Sequence, residues 1–440
     1  MRPNAWSWTN GARFNRRALV MVVWLALGWL LGATTSLNAQ TLTWLGTLPG
    51  GGRSYATGVS VNGGVVVGVV RHSIGQDRAF RWTPSSGMVD LGILPGGDHS
   101  AARGVSENGN VVVGSSTARY IGYTSVTRAF RWTPTSGMQD LGTFPGADNI
   151  SEALGVSPDG GWYVGWSRYW NRYGSFRRAF VANGSIDQND MIGTLRSDEY
   201  GESEARAASR NASVVVGWAH NHLGERWAFY WVRATRTMYG LYPLAACCGE
   251  ATGISENGLV IVGRSHSAQT EQWHACLWWW NVSGYSPSDL GTLGGDESEA
   301  LACTNNQIVV GWSHIPSGQR RAFRWTPTGG MEDLSSVYAS LLGSGSYLEI
   351  AYAITPDGRY IVGQGYNAAS ARTEAFLLDT LCQAHNGDVD NNGCVDDADL
   401  LAVLFAFGNT GQLGRVDTNC DQVVDDADLL QVLFNFGSGC

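Results

Sequence analysis

The chain contains no lysine, so all 29 of its basic residues are arginine, against 38 acidic residues. This balance leaves no basic patch of the kind that binds nucleic acid. Proline is scarce, with 12 residues, whereas glycine is abundant, with 58. Such a composition excludes a collagen-like or proline-rich chain and favours many short strands joined by tight turns. We therefore expect helices to be a minority.

The motifs of several enzyme classes are also missing. The sequence has no His-Glu-x-x-His run, no nucleophile elbow and no isolated pair of carboxylates. Glu152, Glu204 and Glu299 recur in the same context, "SEA", which favours a structural role. We therefore expect the protein not to be an enzyme.

Long apolar runs are rare, and the most prominent one lies near the N-terminus. Arginines precede the segment "ALVMVVWLALGWLLG", and "SLNAQ" with the small residue Ala39 follows it. This order is typical of a signal peptide, and the run is shorter than the ~20 residues that span a bilayer. We expect residues 1–39 to be removed, no stable membrane span, and a secreted, extracellular bacterial protein. The pair Arg16 and Arg17 leaves twin-arginine export open as an alternative. The eight cysteines can form disulfides after export.

A repeat of about 50 residues runs through most of the chain. The segment "AFRWTPSSGMVDLG" returns nearly unchanged from Ala129 and Ala322. An apolar pair followed by glycine occurs at Gly68, Gly114, Gly165, Gly217, Gly263, Gly311 and Gly363. An "AF"-like segment follows each, from Ala79, Ala129, Ala179, Ala228, Ala275, Ala322 and Ala375. Recurrence at a fixed interval indicates a stacked structural unit rather than a catalytic site.

Each repeat predicts four meandering strands. Asn-Gly or a similar pair joins the first two strands, and Pro and Gly separate the last two. The first repeat is preceded by an extra strand, "LTWLGTL" from Leu42, and the seventh stops after "EAFLLDT" without a fourth strand. We therefore predict a mainly β protein whose residues 40–381 form a closed seven-bladed β-propeller of four-stranded blades. An open β-solenoid or a pair of sandwiches remains the alternative. Trp82, Trp132 and Trp325 are expected to pack between blades.

The repeat resembles the extracellular HAF-repeat family of exported bacterial proteins. The segments "GVSENGNVVVG", "AFRWTP" and "DLGTL" carry the resemblance over roughly residues 42 to 380. The family has no generally established activity. The histidine of its name is present here only as His274, so the resemblance implies no catalytic role for that position.

The loop after the second strand gathers aromatic, arginine and histidine residues on one expected face. The candidate ligand face comprises His72, Trp166, Arg168, Trp218, His220, His266, Trp312 and His314. Aromatic and arginine side chains are frequent anchors of binding surfaces, which favours a carbohydrate or a protein as the ligand. The alternative is that these residues belong to the repeat and hydrogen-bond locally. Nothing in the sequence makes the histidines converge on a metal ion.

The C-terminal region, residues 385–440, is strongly acidic, with ten Asp, no Glu and one Arg. The segments "DVDNNGCVDDADLL" and "DTNCDQVVDDADLL" both place oxygen ligands at loop positions one, three, five, nine and twelve. This spacing predicts two Ca²⁺ sites. The first would use Asp388, Asp390, Asn392, Asp396 and Asp399 with the carbonyl of Cys394. The second would use Asp417, Asn419, Asp421, Asp425 and Asp428 with the carbonyl of Val423.

These paired loops, each followed by an apolar helix, resemble a type I dockerin, a small EF-hand-like calcium module. The resemblance implies docking to a cohesin-like protein or another cell-surface component. Gln422 replaces the glycine of the sharp sixth position, so the first loop should bind calcium more tightly. Disulfides Cys382–Cys440 and Cys394–Cys420 would brace this module, although the spacing leaves other pairings open.

Three functions remain after these observations, one of which is a purely structural role with the C-terminal module serving only to stabilise folding. The favoured one is a non-catalytic binding or scaffold protein whose propeller is displayed through the calcium module. The alternative is an accessory or catalytic component of extracellular polysaccharide degradation, because dockerins are often attached to glycoside hydrolases. The missing carboxylate pair disfavours the alternative.

Overall fold

The computed structural model describes residues 40–72, 75–119, 125–146, 148–198, 200–245, 247–282, 284–380, 386–390, 394–409, 416–418 and 423–440. One compact unit extends over Gln40–Leu381, and a second contains Cys382–Cys440. The expected signal peptide lies outside the described residues. Among the described residues, no helix has the length and apolar character needed to cross a membrane.

The larger unit consists of seven antiparallel four-stranded sheets, which we call blades. The chain begins with β1 (Thr41–Gly46) and then forms blade 1 from β2 (Gly51–Val59), β3 (Val66–His72), β4 (Asp77–Thr83) and β5 (Gly87–Asp90). Blade 2 contains β6 (Ser100–Val105), β7 (Val112–Arg119), β8 (Ser125–Thr133) and β9 (Gly137–Asp140). Blade 3 contains β10 (Ser151–Val156), β11 (Tyr163–Asn171), β12 (Gly174–Ala182) and β13 (Met191–Gly193).

Blade 4 contains β14 (Ser203–Ala208), β15 (Val214–His220), β16 (Arg226–Val232) and β17 (Thr237–Gly240). Blade 5 contains β18 (Gly249–Ile254), β19 (Val260–His266), β20 (Trp273–Asn281) and β21 (Gly284–Asp289). Blade 6 contains β22 (Ser298–Cys303), β23 (Val309–His314), β24 (Arg320–Thr326) and β25 (Gly330–Asp333). Blade 7 contains β26 (Tyr347–Ile354), β27 (Tyr360–Asn367) and β28 (Arg372–Asp379). A short helix, Leu334–Val337, and the 3-10 turns Gln188–Asp190, Arg210–Ala212 and Ala339–Leu341 lie between strands.

The N-terminal strand closes the ring, as the sequence predicted. Strand β1 pairs with β28 as the fourth strand of blade 7, and Trp44 lies opposite Phe376. Their ring centroids are 6.4 Å apart in an edge-to-face arrangement. The hydroxyl of Ser54 in blade 1 accepts a hydrogen bond from the Ala375 N–H in blade 7 at 2.9 Å. These contacts join the first and last repeats, so the seven-bladed propeller is confirmed and the open solenoid is excluded.

The hydrophobic core is divided into separate clusters between neighbouring blades. Phe80 of blade 1 packs with Val362 and Leu377 of blade 7, for example, and Phe130 of blade 2 packs with Val67 of blade 1. Large apolar side chains therefore recur because each blade must cover the next one. The tryptophans Trp82, Trp132 and Trp325 lie at the edges of these clusters, as expected.

The innermost strand of every blade carries a β-bulge. The pairing register shifts once after the alanine of each first strand, for example between Ala205 and Ala207. The opposing glycine of the second strand lies directly under the bulge, and a Cβ at Gly217 would be 1.9 Å from the Glu204 carbonyl oxygen. The bulge therefore explains why glycine follows the apolar pair in every repeat, and it directs the side chains of the first strands toward the ring centre.

The C-terminal unit contains two helices, Asp397–Ala406 and Asp426–Asn435. Each begins with a capping box: the side chains of Asp396 and Asp425 accept hydrogen bonds from backbone N–H groups of the first turn. A small cluster of buried valines forms its core: Val389, Val395, Val403, Val424 and Val432. The EF-hand-like character of this unit remains a prediction.

Candidate functional site

A cavity of about 610 Å³ lies at the centre of the ring and is lined by the first strands of all seven blades. We call the end where these strands begin the upper mouth and the end where they finish the lower mouth. One repeat position faces the cavity from every blade, two residues after the "SEA" glutamate or its equivalent. Its occupants are Thr57, Arg103, Leu154, Arg206, Thr252, Leu301 and Tyr352.

Ion pairs between neighbouring blades surround the upper mouth. Arg206 donates to Glu204 at 2.9 Å and lies 3.2 Å from Glu250 of the next blade. Arg264 and Arg226 also contact Glu250, at 3.2 and 3.1 Å. Burial alone would raise the pKa of the Glu250 carboxyl, but the guanidinium groups of Arg206, Arg264 and Arg226 outweigh it, so its pKa lies below the ordinary value. The recurring glutamate is therefore a structural element that links the blades, as the sequence predicted.

The ring is continued by Glu152 and Glu299. Glu152 accepts a hydrogen bond from Ser115 at 3.0 Å and pairs with Arg103 of blade 2 at 3.3 Å. Glu299 accepts a hydrogen bond from the Trp312 indole N–H at 3.1 Å, and the guanidinium group of Arg264 in blade 5 lies 3.8 Å from the Glu299 carboxylate. The upper mouth is thus polar and held in place by contacts on several sides.

The predicted aromatic anchors do not present their rings to solvent. Trp166, Trp218 and Trp312 follow the glycine of the second strand, and their exposed fractions are only 8%, 1% and 6%. The guanidinium groups of Arg177, Arg226 and Arg320 cover these three rings at 4.2, 4.2 and 4.0 Å from the ring centroids. Cation–π stacking therefore places arginine, and not tryptophan, at the surface on the side of the ring that carries the upper mouth.

The other members of the predicted ligand face have separate local partners. His220 Nδ1 accepts a hydrogen bond from the Glu202 N–H at 3.0 Å, and burial lowers the pKa of His220. Arg168 lies 3.9 Å from Glu202. The rings of His266 and His314 lie 4.2 Å from Trp273 and 5.2 Å from Trp312, respectively. The side chain of His72 lies outside the described part of the structure. Among the side chains that are described, these histidines form no group able to hold a metal ion.

Two tyrosines at the upper mouth were missed by the sequence analysis. The rings of Tyr55 and Tyr352, from blades 1 and 7, lie 6.1 Å apart and both line the cavity. Burial raises the pKa of both phenols, so they are neutral hydrogen-bonding groups at physiological pH. A comparison of the repeats at this one position could have found Tyr352, because the other six blades carry Thr, Arg or Leu there, each of them twice, and tyrosine occurs once.

At the lower mouth, Arg210 pairs with carboxylates of two other blades. Arg210 of blade 4 lies 2.5 Å from Glu107 of blade 2 and also pairs with Glu256 of blade 5. The neighbouring Asn211 N–H donates to Asp159 of blade 3 at 3.0 Å. These contacts join the turns of four successive blades at the lower mouth.

The first acidic loop of the C-terminal unit brings three carboxylates together. Oxygen atoms of Asp388, Asp390 and Asp399 all lie within 4.8 Å of one another. Asp399 accepts hydrogen bonds from the N–H groups of Val389 at 2.6 Å, Asp390 at 3.1 Å and Asp396 at 2.8 Å. Burial would raise the pKa of the Asp399 carboxyl, but these backbone donors outweigh it and hold its pKa below the ordinary value. Three carboxylate groups in this space fit a hard cation such as Ca²⁺.

The remaining predicted calcium ligands have mixed outcomes. In the second loop, Asp417 is buried and Asp428 accepts from the Thr418 and Asp425 N–H groups at 2.5 and 3.0 Å. Asp396 and Asp425 are engaged as helix caps, and Val423 forms a backbone bridge. Asn392, Asn419 and Asp421 lie outside the described residues. The carbonyl roles predicted for Cys394 and Val423 stay predictions.

The disulfide prediction for Cys394 was wrong. Cys394 pairs with Cys440, and not with Cys420, which lies outside the described residues together with Cys382. The reason is a backbone contact: Val395 donates to the Ser438 carbonyl at 3.0 Å, and Gly437 donates to the Val395 carbonyl at 2.8 Å. This pairing brings the C-terminal cysteine next to the first loop.

Both C-terminal helices expose a row of apolar side chains at equivalent positions. The row comprises Leu401, Leu404, Phe405 and Phe407 in the first repeat, and Leu430, Leu433, Phe434 and Phe436 in the second. Phe405 and Phe434 are 86% and 82% exposed. Apolar side chains exposed as a group are typical of interaction surfaces.

No protein-family model matches the chain, and no curated protein is detectably similar to it in sequence. Among solved structures, TolB from Acinetobacter baumannii is 14% identical with a TM-score of 0.35, and the match covers 54% of each chain, so this chain spans about half the length of TolB. An oligogalacturonate lyase from Vibrio parahaemolyticus is 10% identical with a TM-score of 0.48, over 77% of this chain and 93% of that one. Prolyl oligopeptidase B from Galerina marginata is 8% identical with a TM-score of 0.44, and the match covers 74% of this chain and 52% of that one. The propeller assignment rests on the strand pairing, and no function is drawn from these likenesses.

Proposed function

We propose that the protein is an exported, non-catalytic binding protein whose propeller takes a carbohydrate at the upper mouth of its central cavity. One observation carries this proposal. The repeats agree closely at packing positions, such as the alanine of each first strand, but the cavity-facing position holds Thr, Arg, Leu or Tyr. In a repeat protein, packing favours similar residues in each unit, so variation at a position that faces the cavity favours a site built for a ligand.

The residues of the upper mouth favour an uncharged or weakly charged polar ligand. Tyr55 and Tyr352 offer aromatic faces and hydroxyl groups, and Arg103 and Arg206 add guanidinium groups to the cavity wall, whereas the Thr57 hydroxyl donates to the Ala102 carbonyl at 3.0 Å. A sugar ring presents both apolar C–H faces and hydroxyl groups, which match this combination.

The electrostatics of the mouth favour binding over hydrolysis. A glycosidase needs one carboxyl group that is protonated near neutral pH to act as the general acid. Glu250 has a lowered pKa and contacts three arginines, so it is ionised at that pH.

Binding at the mouth can be tested with a panel of immobilised oligosaccharides and the full secreted chain. We expect at least one oligosaccharide to bind, and we expect Tyr352→Ala to weaken the affinity for it at least ten-fold. Tyr239→Ala is the matched control, because Tyr239 lies on the outermost strand of blade 4 and does not line the cavity. Equal affinities for the two variants, or no bound sugar across the panel, would contradict the proposal.

We further propose that the C-terminal unit binds calcium and docks the protein to a cohesin-like or cell-surface partner. The three clustered carboxylates of the first loop support the metal, and the two rows of exposed apolar side chains support the partner. Calorimetric titration with Ca²⁺ should show uptake that Asp388→Ala abolishes at the first loop. Asp397→Ala is the control, because Asp397 is exposed and lies outside the carboxylate cluster. Unchanged uptake in Asp388→Ala would overturn the calcium site.

A further inference from the structure

Two adjacent cysteines lie in the loop that leads from β17 into β18. Cys247 and Cys248 are both partly buried and neither is disulfide-bonded; burial, and after it the neighbouring Cys247 thiol, raises the pKa of the Cys248 thiol. The other two free thiols described in the propeller, Cys276 and Cys303, are buried inside strands β20 and β22. The pair is therefore the one place in the described propeller where two accessible thiols meet.

The pair immediately precedes β18, the innermost strand of blade 5. The Cys248 carbonyl accepts hydrogen bonds from the Ser265 hydroxyl at 3.0 Å and the His266 N–H at 3.4 Å. Two residues later comes Glu250, the carboxylate that contacts Arg206, Arg226 and Arg264. A covalent change at the pair would therefore act on the backbone that positions the ion-pair ring.

The backbone geometry favours a disulfide that forms and breaks readily. Cys248 has φ of 68°, a left-handed conformation that residues other than glycine rarely adopt. Adjacent Cα atoms lie about 3.8 Å apart across a trans peptide, below the usual range of roughly 4.4–6.8 Å for disulfides. A bond between neighbours is thus strained, and strained disulfides are easily reduced.

We propose that Cys247 and Cys248 are a redox-sensitive dithiol that closes to a vicinal disulfide by exchange with a low-molecular-weight disulfide such as oxidised glutathione. One cysteine thiolate attacks the external disulfide and releases the first glutathione thiol. The second cysteine thiolate then displaces the bound glutathione and forms the Cys247–Cys248 bond. The protein loses two hydrogen atoms in total, and the external disulfide is reduced to two thiols.

The rate of this exchange should increase with pH. Thiolates are the reacting species, and burial, followed by the hydrogen bond to Cys247, raises the pKa of the Cys248 thiol. In the reduced state the same pair should hold a trivalent arsenical, because phenylarsine oxide condenses with two neighbouring thiols and releases water.

Peptide mapping of the unmodified full chain gives a direct test. Trypsin cleaves after arginine in this lysine-free chain, so residues 237–264 form one peptide that carries both cysteines and no other. After treatment with oxidised glutathione under native conditions, we expect this peptide to lose two hydrogen atoms and to carry no glutathione. Dithiothreitol should restore the original mass. A stable glutathione adduct, a crosslink to another chain or an unchanged peptide would each overturn the proposal.

The arsenical provides an independent measurement on folded variants. The reduced full chain should bind phenylarsine oxide, and Cys247→Ser should not, whereas Cys276→Ser should bind as well as the unsubstituted chain. Circular dichroism verifies that each variant is folded. Equal arsenical binding by Cys247→Ser and the unsubstituted chain would contradict the paired site. These outcomes do not depend on carbohydrate binding, so either proposal can fail alone.

Discussion

At the scale of single residues, the second strand of each blade requires glycine at one position because the backbone of the first strand lies too close for a side chain. At Gly68, Gly114, Gly165, Gly217, Gly263, Gly311 and Gly363, an added Cβ would lie 1.9–2.0 Å from a carbonyl oxygen of the first strand. Backbone cannot move aside as a flexible side chain can. The glycine is therefore needed for the bulge, which in turn shapes the cavity wall.

Gly217→Ala should lower the free energy of unfolding by about 1–3 kcal/mol or more, because the methyl group overpacks the bulge of blade 4. Gly184→Ala is the matched control, since nothing lies within 4 Å of its added Cβ. Denaturant unfolding of both variants measures the difference. Equal stabilities would show that the bulge relaxes without cost.

The negative charge of Glu250 leads to a second prediction at this scale, which concerns the pH dependence of stability. Its pKa is lower in the folded protein than the value of about 4.3 expected for an unfolded chain. Its ionisation therefore stabilises the fold above that value, and this contribution is lost as the pH falls through the folded pKa.

Glu250→Gln should accordingly destabilise the propeller at pH 7, by roughly 1–3 kcal/mol, because it leaves arginines without their counter-charge. The difference from the unsubstituted protein should shrink as the pH approaches the folded pKa. Glu271→Gln serves as the control, because Glu271 is exposed. Chemical denaturation across this pH range provides the measurement, and a pH-independent difference would contradict the electrostatic explanation.

At the scale of elements, the sequence predicted the blades and their closure because these depend on local patterns. Apolar triplets, turn residues and the missing fourth strand of the seventh repeat are all visible in the sequence. The burial of Trp166, Trp218 and Trp312 was not predictable in the same way, since it depends on arginines of the third strand that stack over the rings. The Cys394–Cys440 pairing likewise depends on a backbone contact between residues 43 positions apart, Val395 and Ser438.

The C-terminal helices allow capping to be separated from metal binding. Asp425 accepts a hydrogen bond from the Ala427 N–H at 2.8 Å and is also a proposed calcium ligand. In the presence of a chelator, Asp425→Ala should lower the stability of helix Asp426–Asn435 by about 0.5–2 kcal/mol, because the cap is lost. Asp425→Ser keeps a capping oxygen and should therefore retain most of the stability of this helix. The helical circular dichroism signal during unfolding compares the two, and identical losses would argue against the cap.

At the scale of the whole molecule, the ring depends on one strand from the opposite end of the chain. Strand β1 pairs with β28 over Thr41–Gly46 and contributes Leu45 to the core between blades 7 and 1. Without β1, the outer edge of β28 and part of Phe376 would be uncovered. An unpaired strand edge is a template for association with another chain.

A chain that starts at Thr47 should therefore lose cooperative closure. We expect its unfolding temperature to fall by on the order of 10 °C, since the side chains of Trp44 and Leu45 are removed with the strand pairing. Light scattering should also detect association through the uncovered β28. A synthetic peptide of residues 40–48 should restore both properties when added, because it can refill the vacant edge, whereas a peptide with Trp44→Asp and Leu45→Asp should not. A shortened chain that stays monomeric and unfolds at the original temperature would show that the other three strands of blade 7 suffice to hold the ring.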